Sequence, residues 1–125
     1  MKPIPLLTVV IVNYYSEQVL PNCLACLYAA LPDMAAEVFI VSNGSSHAPL
    51  SAILSDYPNV RYIENGQNLG FAAANNRAIR ASTGTYILLL NPDVVLDRHC
   101  LSTLMAVMEA APEMGVTGPR LVLPD

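Results

Sequence analysis

Two kinds of hydrophobic pattern alternate along the chain: short unbroken apolar runs, and longer stretches whose apolar positions recur as on one face of a helix. The first kind fits strands buried on both faces and the second fits amphipathic helices. Read in order, Leu7 to Val12 predicts a strand, Pro21 to Ala30 a helix, and Val38 to Val41 a strand closed by the polar loop Ser42-Asn43-Gly44-Ser45-Ser46. Leu50 to Leu54 predicts a short helix, Val60 to Ile63 a strand, Phe71 to Arg80 an alanine-rich helix, Tyr86 to Leu90 a strand, and Leu101 to Ala111 a last helix. Strands separated by helices imply an α/β fold, a doubly wound and mostly parallel sheet with helices on both faces. No repeat, low-complexity segment or internal linker divides residues 1–125, so one unit is expected.

The run Tyr86-Ile87-Leu88-Leu89-Leu90, bounded by Gly84 and Pro92, predicts an interior parallel strand that stops at Asn91-Pro92-Asp93. In open α/β sheets ligands lie beyond the carboxyl ends of the strands, which would place Asp93 in a cleft. A plain turn accounts for Asn-Pro-Asp equally well, so the other strand ends must decide. They are polar as well: Asn13-Tyr14 after the first, Ser42-Asn43 after the second, and Gln67-Asn68-Leu69-Gly70 after the third. Four such loops should converge on one crevice. A tyrosine ring, several amides, a glycine at a helix start and one carboxylate suit a nucleoside diphosphate. The ring stacks on the base, amides meet base and ribose, and N–H groups near Gly70 face phosphate. Asp93 would hold a divalent cation, Mg²⁺ or Mn²⁺, which such sites bind through one or two carboxylates plus substrate phosphates.

Composition adds a boundary condition. The chain is 54% hydrophobic and 13% charged, more apolar than ordinary soluble domains. Either it hides a face against a partner, as in a homodimer, or it lacks a part of the fold that would cover that face. The net charge of −4, with six scattered Lys and Arg, leaves no basic footprint and sets nucleic acid aside. No apolar stretch has the length of a membrane-spanning helix, and the short run after Lys2 lacks a nearby small-residue cleavage site, so a cytoplasmic protein is expected. Cys23 and Cys26 have the spacing of a zinc or redox pair, yet they fall within a helical pattern without a second ligand pair. With Cys100 they read as reduced thiols, Cys23 and Cys26 packed in the core. His47 and His99 read as surface or capping residues.

With these residues in view, the chain resembles the inverting glycosyltransferases of family 2, which have the GT-A nucleotide-sugar-binding fold. The resemblance rests on VVIVNYY, VFIVSNGSS, NLGFAAANNRAIRASTGTYILLLNPDVVL and GPRLVLPD. It implies that Asn91-Pro92-Asp93 stands where the family has its aspartate-any-aspartate metal motif, in a form similar to that of rhamnosyltransferase-like members using dTDP-rhamnose. By position it assigns Tyr14 to base stacking, Asn43 to the base edge, Asn91 and Asp93 to ribose, diphosphate and metal, Gly70 to the diphosphate loop, and Asn76 to a recurrent helix amide. Asn13 joins them as the amide ending the first strand. Ser42, Tyr15 and His47 stand where the family usually has aspartate, asparagine and aspartate, which leaves the nucleotide open.

The resemblance also implies a dTDP- or UDP-linked sugar donor and a glycan or lipid-linked acceptor, with peripheral contact at the inner membrane face if the acceptor is lipid-linked. Family members continue beyond a segment of this length, into an acceptor site and the carboxylate that deprotonates the acceptor hydroxyl. Glu109 and Glu113 have no motif around them that would supply that base. Residues 1–125 are therefore expected to form the donor-binding part, inactive in isolation and without a catalytic residue. Two competing readings are a nucleotide-sugar-binding module that dimerises through its apolar face, and a nucleotidyltransferase. The latter should carry a glycine-rich basic loop after the first strand, and Asn13-Tyr14-Tyr15-Ser16-Glu17 has none.

Overall fold

A computed structural model describes residues 5–123. The elements follow in the order β1 (Leu7–Tyr14), α1 (Leu20–Ala29), β2 (Ala36–Gly44), α2 (His47–Asp56), β3 (Arg61–Glu64), α3 (Phe71–Ala81), β4 (Tyr86–Leu90) and α4 (Cys100–Ala110). The four strands form one parallel sheet in the order β3-β2-β1-β4. Strand β1 is central, and its Val9, Val10 and Ile11 are fully buried, which is why that stretch is apolar on both faces.

The two faces are covered differently. Leu7, Val9 and Ile11 of β1 and Val38 and Ile40 of β2 pack with Leu20, Leu24 and Leu27 of α1, Leu50 and Ile53 of α2, and Leu101 and Met105 of α4. Pro21 stands in the first turn of α1, where a missing N–H costs nothing. On the other face, Val10, Val12, Phe39 and Val41 meet Ala74 and Ala78, one helical turn apart in α3. Their small side chains bring that helix close to the sheet. Each fully buried aliphatic side chain contributes roughly 1.5–3 kcal/mol.

The chain winds from β1 outward to β3 with α1 and α2 on one face, then returns through α3 on the opposite face to place β4 on the far side of β1. The winding direction therefore reverses between β1 and β4, and this switch point opens a crevice at the strand ends. One expectation changes here. Strand β4 is at an edge of the described sheet, and Ile87 and Leu89 on its α3 face are 42% and 48% exposed. The apolar run signals a strand suited to burial on both faces, but α3 packs on β1 and β2, and no β4 side chain joins that cluster.

At the opposite end of the sheet, Thr8 and Glu37 are direct partners on β1 and β2. The Thr8 hydroxyl donates to Glu37 Oε1 at 2.7 Å, the Thr83 N–H donates to the same oxygen at 2.6 Å, and Arg61 Nη1 lies 3.5 Å from Oε2. Burial raises the pKa of the Glu37 carboxyl, but the Thr8 hydroxyl, the Thr83 and Gly84 N–H groups and the Arg61 guanidinium together outweigh it and hold the group below its usual value. A carboxyl with a lowered folded-state pKa stabilises the fold above its unfolded pKa, about 4.3, and that contribution fades as pH falls through the folded value. Glu37→Gln is therefore expected to flatten the acid limb of stability below about pH 4.5. Thermal unfolding of both proteins between pH 3 and 7 measures this, and parallel curves would remove Glu37 from the acid response.

Candidate functional site

The carboxyl ends of β1, β2 and β4, with the loop leading into α3, surround a crevice of about 640 Å³. Tyr14, Asn43, Gly70, Asn91 and Asp93 all line it, together with Tyr15, Asn68 and Phe71. A second recess of about 440 Å³ shares Tyr14, Tyr15, Asn43 and Asn68 with the first and adds Gly44, Ser45, His47, Glu64, Gly66 and Gln67. An elongated ligand can thus occupy both. A separate groove of about 320 Å³ between β4 and α4, lined mainly by Leu7, Ile87, Leu88, Leu101, Leu104 and Met105, has no convergent charged group.

Two candidates from the sequence stand elsewhere. Asn13 is fully buried and ties the strand ends together: its Nδ2 donates to Gly44 O at 3.2 Å, and its Oδ1 accepts from Ser16 N at 3.2 Å. Glu17 adds to this tie by accepting from Ser46 N at 2.7 Å. Asn76 lies exposed on α3 and lines neither recess, whereas its neighbour Asn75 is buried and donates to Phe71 O at 2.9 Å. The two amides differ by one position, and only the packed helix shows which points inward.

Tyr14 and Tyr15 form the crevice's aromatic wall, 54% and 62% exposed, their rings meeting edge to face at 5.1 Å. Tyr15 adopts a positive φ of 48°, and Gly44 beneath the pair has no room for a Cβ, which would lie 2.7 Å from the Tyr15 ring. The parallel register between β1 and β2 shifts at this point. Asn13 pairs with Ser42 and Tyr14 with Gly44, so Asn43 is an extra, bulged residue turned toward the loop before α3.

Opposite the aromatic wall, Asn91 and Asp93 are exposed on the turn after β4. The Cys23 thiol, buried under this turn, donates to Asn91 O at 3.6 Å. Burial, reinforced by Cys26 and Asp93, pushes that thiol up to about 11, so Cys23 is an unreactive packing group. His47 is the first residue of α2 and faces Glu64 across the second recess. Glu64 is held below the usual carboxylate range first by the Tyr62 hydroxyl, which donates to it, and then by the Gly66 N–H. His99 occupies the N-cap position of α4 without a side-chain capping bond.

No group of three or more His, Cys, Asp or Glu among the described residues is arranged to hold a metal. Asp93 is the carboxylate lining the larger crevice, a donor set that fits a cation completed by water and ligand phosphates. At the opposite rim, α3 begins at Gly70, whose φ of 85° favours glycine, and no side chain caps it. Its first-turn N–H groups are therefore available to an anion. No pattern in the sequence assigns a site role to Phe71, Glu64, Asn65 or Arg77, and Tyr15 is marked there only as a departure from the family's asparagine.

The family model described as glycosyl transferase family 2 matches residues 8–123. An N-acetylglucosaminyl-diphospho-decaprenol L-rhamnosyltransferase of Mycobacterium tuberculosis is 31% identical over 95% of this chain and 42% of its own length. The low-salt glycan biosynthesis hexosyltransferase Agl10 of Haloferax volcanii is 29% identical over 93% of this chain and 36% of its own length. The chain therefore spans about two fifths of these relatives. Among solved structures, mannosyltransferase PcManGT from Pyrobaculum calidifontis, in complex with GDP-Man and Mn²⁺, superposes with a TM-score of 0.74 at 21% identity, covering 83% of this chain and 32% of that one. S. aureus TarS 1-349 in complex with UDP-GlcNAc gives 0.73 at 22% identity, covering 85% of this chain and 32% of that one. The fold is the GT-A arrangement.

Proposed function

This chain belongs to glycosyl transferase family 2, and on that premise we propose that its crevice is the donor-binding part of a sugar-transfer site. The carrying observation is the convergence of Tyr14, Asn43, Gly70, Asn91 and Asp93 at the switch point between β1 and β4. The base lies in the second recess against the Tyr14 ring, whose exposed face suits stacking. The diphosphate runs into the larger crevice, between the uncapped start of α3 and Asp93. Asp93, together with the phosphates, would hold a divalent cation, Mg²⁺ or Mn²⁺, which would supply positive charge against the negative charge that builds on the leaving diphosphate.

In the transfer itself, an acceptor hydroxyl attacks the anomeric carbon with inversion and the nucleoside diphosphate departs. The base that removes the hydroxyl proton must lie within hydrogen-bond reach of it. We assign that base, and the acceptor surface, to polypeptide outside residues 1–125, in line with the greater length of the relatives. The isolated chain then binds donor without turning it over. The relatives favour a hexose-type sugar, rhamnose among them, and a glycan or lipid-linked acceptor. The uncovered edge of β4, with Ile87 and Leu89, supports the remaining polypeptide as its cover. It also supports a second reading, a donor-binding module that dimerises through this face. No helix among the described residues is long and apolar enough to cross a membrane, and we place the protein in the cytoplasm, at the membrane's inner face when its acceptor is lipid-linked.

Calorimetric titration of the purified chain with dTDP, UDP and GDP, each with and without Mn²⁺, tests the donor reading. One nucleotide is expected to bind only with metal. Absence of binding to all three, in a chain shown to be folded, would overturn it, and sedimentation of the same sample distinguishes monomer from dimer.

A further inference from the structure

Asn43 contacts the crevice, yet nearly all of its hydrogen-bonding capacity is spent inside the protein. Its Oδ1 accepts from Asn65 Nδ2 at 2.8 Å and from Leu69 N at 3.3 Å, and its Nδ2 donates to Gly70 O at 3.1 Å. Two of these partners are backbone groups of fixed polarity, so the amide has one workable orientation. Both acceptor positions of Oδ1 are then filled, and the residue is 4% exposed. An N–H on a nucleobase edge finds no free acceptor there.

The chain of contacts continues outward. Asn65 receives a hydrogen bond on its Oδ1 from Arg77 Nη1, and the same Arg77 nitrogen lies 3.4 Å from Glu64 O. Asn65 N also donates to Ser42 O at 3.0 Å, fixing the start of the loop to β2. Arg77 extends from α3, Asn65 begins the loop, and Asn43 is the bulged residue of β2, so one relay joins helix, loop and sheet.

We propose that Asn43, Asn65 and Arg77 are positioning residues that hold the 65–70 loop, and with it Asn68 and the start of α3, against the donor crevice. Asn43 sets that loop and does not read the base. The inference rests on the donor-binding function for its consequence, but its structural content stands independently. A relay that positions the loop affects every nucleotide alike, because the diphosphate is common to all. A residue that reads the base changes the ranking among nucleotides.

Arg77 is exposed, so its replacement should not unfold the chain. Arg77→Met is expected to weaken binding of dTDP, UDP and GDP by a common factor of about tenfold, the scale of one charge-assisted hydrogen bond. Arg77→Lys should recover part of it, with the melting temperature unchanged and amide exchange at Leu69 and Gly70 faster in Arg77→Met. Asn43→Asp would place a carboxylate against Gly70 O and should likewise weaken all three nucleotides equally. If Arg77→Met leaves both affinity and exchange unchanged, or if Asn43→Asp alters the ranking of nucleotides, the relay is wrong. If the unaltered chain binds no nucleotide, the donor function fails, and the exchange measurement still decides the relay.

Discussion

Replacing Asp93 by alanine is expected to abolish the metal-dependent part of nucleotide binding while leaving the chain folded. Asp93 is exposed on the turn after β4 and contributes nothing to either face of the core, so little stability depends on it. Its position is set from below, by the pairing of β4 with β1 and by the Cys23 thiol on Asn91 O. Among the described residues it is the one carboxylate lining the larger crevice, with no second acid there to replace it. Loss of an outer-shell partner of a metal ligand already costs 10–100-fold in metal affinity, so loss of the ligand itself should cost on the order of 100-fold or more. Asp93→Asn keeps the shape and one oxygen but removes the charge, and should fall close to alanine. Titration with Mn²⁺ and nucleotide together reads the effect, and undiminished binding by Asp93→Ala would take Asp93 out of the site.

The largest loss of stability is expected at Gly84. The residue leads into β4 beneath the Thr8 and Glu37 cluster, and its N–H donates to Thr8 Oγ1 at 3.0 Å. A Cβ added there would lie 2.4 Å from Thr8 Oγ1 and 2.6 Å from the Thr8 backbone nitrogen. The side-chain oxygen could rotate away only by giving up its bond to Glu37, and the backbone of the central strand cannot move without disturbing its pairing with both neighbours. Overpacking a core usually costs 1–3 kcal/mol, and contact with a buried backbone belongs at the top of that range. Gly84→Ala should therefore destabilise by about 3 kcal/mol, lowering the melting temperature by roughly 10 °C in a domain of this size. At Gly115 and Gly118 a Cβ meets nothing within 4 Å, so Gly115→Ala is the matched control and should melt close to the unaltered chain. Equal melting of Gly84→Ala and Gly115→Ala would show that the sheet yields at this point.

The two substitutions separate what the fold holds from what the crevice uses. Asp93 is dispensable to packing and central to the proposed chemistry; Gly84 touches no ligand and is required for β4 to lie against β1, which in turn carries Asp93 to the crevice. The turn that carries Asp93 therefore depends on a close approach at the far end of the same strand.

How much of this was legible beforehand follows from the range of the interactions involved. The alternation of strands and helices is a local property, written in apolar runs and in helical spacing, and the eight elements appear where those patterns are. Strand β2 is longer than its apolar stretch because its ends, with Glu37 on one side and Ser42 to Gly44 on the other, are polar residues held by pairing with β1. The same pairing makes Asn43 a bulge, which no one-dimensional pattern announces.

The polar strand ends and the carboxylate after Leu90 also lie in the sequence, because a parallel α/β sheet collects the ends of its strands on one side whatever the loops contain. Sequence alone thus determined the fold class, the side of the sheet on which the crevice opens, and the residues Tyr14, Asn43, Gly70, Asn91 and Asp93 that line it. Tertiary structure alone decided strand order, which put β4 at an edge, and the direction of each side chain. That direction buries Asn13, turns Asn76 away, and ties the Asn43 amide, at the crevice wall, to Asn65, Leu69 and Gly70. Strand order and side-chain direction depend on contacts between residues far apart in the chain, and a hydrogen bond such as that between Asn43 and Gly70 exists only once both ends have been brought together by the core beneath them.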